Sequence, residues 1–139
     1  MRSDSASATG SYDGFVTVGV VGSRQAGWRI TYVSSTLTPA GGALHGTRAL
    51  SALDAWTKAA HFAGHAVARR DVSSLGAGAG ATAVHASGLA GSQAVRPIAF
   101  GTSRVGALRA YQARIVDATS RDQSGYDVVV DASTGRLLY

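Results

Sequence analysis

The sequence contains no cysteine, and that absence removes disulfide staples, thiolate metal sites and cysteine nucleophiles together. It leaves the compartment open. Glutamate is missing as well: every acidic side chain is an aspartate, so no H-E-x-x-H zinc helix can be written in this chain. Proline is scarce, at Pro39 and Pro97 only, and aromatics make up just 7% of the residues. No apolar run approaches the roughly 20 residues of a membrane-spanning helix. The opening "MRSDSASATG" has no apolar centre of the kind a signal peptide carries. A soluble chain with no membrane partner is expected, with residues 1–11 as a disordered tail or a boundary inside a longer protein.

What is present is 45% hydrophobic, an ordinary share for a globular core, but much of it is alanine, with 18 glycines beside it. The large core side chains must therefore come from a short set, Phe15, Trp28, Tyr32, Trp56, Phe62, Phe100, Tyr111 and Tyr126, supported by Val, Ile and Leu. The net charge of +5 invites a nucleic-acid reading. The arginines are scattered, however, with only Arg69 and Arg70 adjacent, and a binding face needs clustering with aromatic platforms. No nucleic-acid partner is expected.

Hydrophobic periodicity organises the rest. "YDGFVTVGVV" (12–21) alternates with period two and predicts a strand. "WRITYVSS" (28–35) alternates again, placing Trp28, Ile30 and Tyr32 on one face; the pair predicts a β-hairpin within 12–45. Pro39 and the Gly41–Gly42 pair mark a loop. Over 51–63 the spacing predicts the one main helix, capped by Ser51 with Asp54 three residues on. Its apolar stripe runs through Ala52, Leu53, Trp56, Ala60 and Ala63, with Phe62 at the far edge and Gly64 as the left-handed C-terminal cap. The glycine- and alanine-rich 71–94 predicts irregular chain with at most one short strand near 83–87. Residues 95–100 read as a strand that Pro97 confines to an edge or a bulge. "LRAYQARIVD" (108–117) and "GYDVVVD" (125–131) alternate cleanly, Tyr111, Ala113 and Ile115 facing one way and Gln112 and Arg114 the other. "ASTG" then turns the last strand back into "RLLY". Helix and strands are segregated and the strands are joined by hairpins. The predicted fold class is α+β: an antiparallel β-sheet with one main α-helix packed on one face.

The candidate chemistry is thin. His61 and His65 in "WTKAAHFAGHAVARR" have the spacing of a zinc helix, but Phe62 stands where its glutamate would be, and Gly64 ends the helix between them. No third ligand is in view, so no metal and no cofactor is expected, and His61 reads as a solvated side chain near a helix C-terminus. "GAGAG" (76–80) is followed by no Gly-Lys-Ser/Thr and no helix, so it reads as a flexible loop rather than as a phosphate cradle. No G-x-S-x-G supports a serine nucleophile. Arg69–Arg70 reads as solvated charge rather than as a cleavage site, and the set Tyr111, Ile115, Tyr126 and Val128 as core rather than as a ligand cage. No catalytic residue is assigned. Such a chain is better suited to covering another surface, partly through a strand edge near Leu137 to Tyr139.

The last third, "LRAYQARIVDATSRDQSGYDVVVDASTGRLLY", resembles the closing PepSY-like unit of secreted metallopeptidase propeptides of the fungalysin type. The similarity lies in the "AY" pair and in the ending at Val129 to Tyr139. "LSALDAWTKAAHFAG" is similar to the alanine-rich helix that opens that unit, and Tyr32-Val33-Ser34-Ser35 with Leu37 resembles the final hairpin of the fungalysin/thermolysin propeptide segment before it. The resemblance implies a PepSY/cystatin-like fold, with 12–45 closing one unit and 46–139 forming the next. It also implies a non-catalytic, secreted pro-region acting as chaperone and inhibitor, whose partner is the catalytic domain of its own zinc metallopeptidase. The runner-up is a free-standing extracellular PepSY-like binding module.

Overall fold

The computed structural model describes residues 10–11, 16–25, 27–35, 43–102, 106–119 and 123–139. Its centre is an antiparallel meander of β5 (Val72–Gly78), β6 (Ala81–Ala86), β7 (Gln93–Thr102), β8 (Gly106–Asp117) and β9 (Ser124–Asp131). Two short strands extend it: β1 (Gly10–Ser11) lies parallel to β7, and β4 (Leu44–His45) parallel to β8. One helix, α1 (Ala52–Phe62), packs across β7, β8 and β9 and reaches β5. The fold class is α+β, with a mixed, mostly antiparallel sheet and one helix on it.

Alternation along β8 and β9 explains which face the helix covers. Val95, Tyr111, Ala113, Ile115, Val128 and Val130 all point to one side and meet Ala55, Trp56, Ala59 and Ala60 of α1 in a single buried cluster. The buried stripe of α1 is centred about 30–40° toward Ala55 and Ala59 from the expected one, at about 100° per residue; Leu53 and Ala63 pack on its margins. Trp56 is fully buried, and its indole N–H donates to the Arg114 carbonyl at 3.0 Å. On the opposite face Ile98, Ala110 and Val129 form a smaller cluster with Phe100 and Leu138.

The helix ends as the sequence predicts. Ser51 Oγ accepts from the Asp54 N–H at 3.1 Å and donates to Asp54 Oδ2 at 2.6 Å. At the other end Gly64, at φ +89, takes the left-handed position; its N–H donates to His61 O and the His65 N–H to Ala60 O, the paired bonds of a Schellman motif.

Three expectations are corrected. Residues 71–94 are not irregular: they hold β5, β6 and the start of β7. "GAGAG" builds the hairpin between β5 and β6, with Ala79 (φ 49) and Gly80 (φ 76) both in the left-handed region that a two-residue hairpin turn requires. Second, Pro97 sits on a central strand. It is tolerated because β6 pairing stops at Val95 and β1 pairing begins at Ile98, so Pro97 falls in the gap between two partners. Third, Trp28, Phe62 and Tyr126 are not core; they are 65%, 50% and 46% exposed. Phe15, and the side chain of Tyr32, lie outside the described residues.

The predicted first hairpin is present as a separate two-stranded sheet of β2 (Val16–Ser23) and β3 (Gly27–Ser35). Its period-two alternation is interrupted by a bulge that inserts Thr31, whose Oγ1 donates to the Gly19 carbonyl at 3.0 Å. β1 and β4 belong to the main sheet and not, as the sequence pattern suggests, to the tail and to the hairpin segment.

The closing turn shows why "DASTG" is there. Asp131 Oδ1 accepts from the N–H groups of Ser133 and Thr134, and Gly135 takes φ +72. Ser133 Oγ donates to Thr47 O at 2.6 Å and accepts from Thr47 N at 2.9 Å, while Ala132 O accepts from Ala49 and Leu50. The turn thus anchors the segment leading into α1, and the Tyr111 hydroxyl donates to Leu50 O from beneath.

Candidate functional site

The turn at 132–135 sends the C-terminal tail back along the outer side of β9. Val130 and Leu137 form an antiparallel bridge, Asp131 N–H donates to Arg136 O, and Val129 is bonded through both its N–H and its carbonyl to Leu138 and Tyr139. Strand parity then puts Leu137 on the helix side of the sheet together with Tyr126 and Val128.

On that side a groove of about 480 Å³ opens between the C-terminal end of α1 and the β9–tail pair. Phe62, Ala63 and Gly64 form one wall, and Tyr126, Val128, Leu137 and Tyr139 the other. Phe62 lies here because the Schellman turn stops the helix one residue after it, so its ring overhangs the sheet margin instead of entering the core. The Tyr126 ring stands edge-on to His65, with centroids 6.4 Å apart and planes at 61°. Within the main sheet, its helix and the tail, the large apolar side chains left conspicuously exposed are Phe62, Leu75, Tyr126, Leu137 and Tyr139; all but Leu75 line this groove.

The two histidines have different surroundings. His61 is in the last turn of α1, where its Nε2 donates to Val67 O at 3.0 Å, and His65 lies beyond the cap against Tyr126. Among the described residues no three His, Cys, Asp or Glu side chains gather as metal ligands. Arg69 is tied rather than freely solvated: its Nε pairs with Asp54 Oδ1 at 2.7 Å and its guanidinium donates to Val72 O, joining the first turn of α1 to the start of β5. The Ser51 hydroxyl, and after it Arg69, hold the Asp54 carboxyl below its ordinary value. Arg70 projects outward. Tyr111 is core, and burial pushes its hydroxyl pKa up.

The face away from the helix carries a polar depression of about 350 Å³. There Arg96 Nε donates to Gln112 Oε1 at 2.8 Å, and Arg114 pairs across strands with Asp127 at 3.5 Å. These groups engage one another, as the predicted outward facing of Gln112 and Arg114 requires.

The expected docking edge at Leu137 to Tyr139 is one wall of the groove. Phe62 and Tyr126, its other principal members, read as core in the sequence but line the groove in the structure. For Phe62 the position two residues before Gly64 is a usable signal, since a residue at a helix terminus has no further turn to bury it. No helix among the described residues is long and apolar enough to cross a membrane. No protein-family model, curated protein or solved structure matches the chain.

Proposed function

We propose that the chain is a non-catalytic pro-region of a secreted, fungalysin-type zinc metallopeptidase, with a PepSY/cystatin-like unit that docks on the catalytic domain, assists its folding and blocks its cleft. The family part of this reading rests on the resemblance of 108–139 and of the helix before it. The docking part rests on one observation: Phe62, Tyr126, Leu137 and Tyr139 are gathered on one groove instead of scattered. Large apolar side chains concentrated at an exposed patch mark interaction surfaces. A standard interface takes about 800 Å² from each partner, a modest share of the 9269 Å² this chain exposes.

The direct test is to refold the protease domain encoded in the same reading frame with and without this chain in trans. Recovered activity should rise with the chain present and fall again when it is in excess. Equal yields and equal activity would defeat the chaperone and inhibitor reading. A parent reading frame without an H-E-x-x-H helix downstream would instead favour a free-standing extracellular binding module.

A further inference from the structure

The β5–β6 hairpin hangs on the rest of the sheet by a short seam. β6 joins β7 only through Thr82–Val95, Ala83–Ala94 and Val84–Gln93, whereas β7 runs beside β8 from Ala94–Arg114 to Thr102–Gly106. The hairpin buries Val72, Val84 and Ala86, no side chain larger than valine, while β8 buries Tyr111 and Ile115. Ser73 to Gly78 are exposed throughout. A bulge at Leu75 interrupts the β5–β6 ladder, and Gly76, Gly78 and Gly80 give the opened chain more conformational freedom than side-chain-bearing residues would. Little buried apolar surface and a ladder that faces solvent are the marks of a segment that opens before the whole fold does. Gln93, whose amide bonds both the N–H and the carbonyl of Val116, marks where the firmly held sheet begins.

Arg69 ties this hairpin to the helix. Its Nε pairs with Asp54 Oδ1 at 2.7 Å and its Nη1 donates to Val72 O at 3.0 Å, so one side chain reaches from the first turn of α1 to the first residue of β5. The next side chain, Arg70, is 88% exposed. The peptide bond after it is nevertheless held in a single 3-10 turn, closed by the Asp71 N–H on Ala68 O and the Val72 N–H on Arg69 O. An endoprotease takes its substrate extended, so that turn must come apart before the bond can be cut.

We propose that the β5–β6 hairpin is a flap latched to α1 by Arg69, and that its opening presents the Arg69–Arg70 pair to an arginine-reading endoprotease. The cut adds water across the Arg70–Asp71 peptide bond, leaving a carboxylate on Arg70 and an amine on Asp71. α1 with Phe62 is then on one product, and β9 with Tyr126 and Leu137 on the other, so the two walls of the groove no longer belong to one chain. The flap stands without the docking reading; its use as an off-switch for docking rests on that reading.

The experiment is native-state amide hydrogen exchange of the full 139-residue chain by NMR, paired with trypsin digestion followed by mass spectrometry. Ladder amides shared by β5, β6 and the start of β7 should exchange at least about tenfold faster than those of Ala110 to Ile115. Arg69→Gln breaks the latch and should speed exchange within the flap by about two- to fivefold, the effect of losing a half-exposed ion pair. The cut after Arg70 should accelerate by the same factor, because cleavage follows the open population when opening and closing outpace cutting. Arg114→Gln, which breaks the Arg114–Asp127 pair on the face away from the helix, should change neither. Circular dichroism and thermal melts check that both variants are folded.

Exchange in β5 and β6 as slow as in β8 would overturn the proposal. So would an Arg69→Gln effect spread evenly over the sheet, which would make the pair an ordinary stability contact, or a cut after Arg70 whose rate ignores that substitution. Failure of the refolding assay with these results intact would remove the off-switch and leave the latched flap standing.

Discussion

Trp56→Ala is the most informative stability perturbation. Trp56 is fully buried between α1 and the sheet, contacts the cluster of Ala113, Ile115 and Val128, and donates its indole N–H to Arg114 O. An aromatic side chain of this kind removes about 150–250 Å² from water, about 4–6 kcal/mol at 25 cal/mol/Å² and an upper bound because unfolded chains are partly collapsed. Measured costs of emptying such a site are about 3–5 kcal/mol. A typical domain has only about 5–15 kcal/mol in total, so the variant should lose about 10–20 °C of melting temperature for a chain of this size. The assay is urea and thermal unfolding followed by far-UV circular dichroism, beside Trp28→Ala as the control. Trp28 is 65% exposed on the separate hairpin, and its removal should shift the main transition by less than about 0.5 kcal/mol. An unchanged midpoint for Trp56→Ala, or a larger loss for Trp28→Ala, would refute the packing account.

Gln93 is buried at 3% exposure and its amide pairs with both the N–H and the carbonyl of Val116, completing the β7–β8 ladder where β7 begins. Gln93→Leu keeps the volume but orphans both groups, and chemical denaturation should show a loss of about 2–3 kcal/mol. Gly135→Ala places a Cβ at φ +72 in the closing turn, against Lys58 and 3.0 Å from Leu50 Cδ1, and should cost about 1–2 kcal/mol in the same assay. Because Ser51 and Arg69 depress the Asp54 carboxyl in the fold, its contribution is present above the unfolded value and lost as pH falls through the lowered folded one. The stability advantage of the natural chain over Asp54→Asn should therefore shrink in acid; with both partners half exposed it is small even at neutral pH.

Much of this architecture is legible from local rules. β8 announces itself because its helix-side face is buried, which forces alternation through Tyr111, Ala113 and Ile115, and β9 through Val128 and Val130 on that same face, with Val129 buried on the other. The helix limits follow from Ser51 and Gly64, whose chemistry satisfies backbone groups within one turn. The β5–β6 hairpin is hidden because its strands carry small side chains and little buried surface, so its signal is conformational: a bulge at Leu75 and a turn at Ala79–Gly80. Pro97 misleads for a related reason, since a proline reports a missing donor and not which neighbouring strand is absent. The groove is the least legible element. Phe62, Tyr126 and Leu137 come from three separate segments, and each is an ordinary apolar residue by itself; only the Schellman turn and the returning tail bring them together.

The proposed function has this chain dock its groove on a partner domain. The most direct measurement is the yield of active protease on refolding in the presence of the natural chain, compared with the folded double variant Phe62→Ser with Tyr126→Ser. Both substitutions lie on exposed positions, so the variant should keep its circular dichroism spectrum and its melting transition. The account predicts that the natural chain raises the recovered activity and that the double variant leaves it at the unassisted level. Equal assistance by the two chains would contradict it.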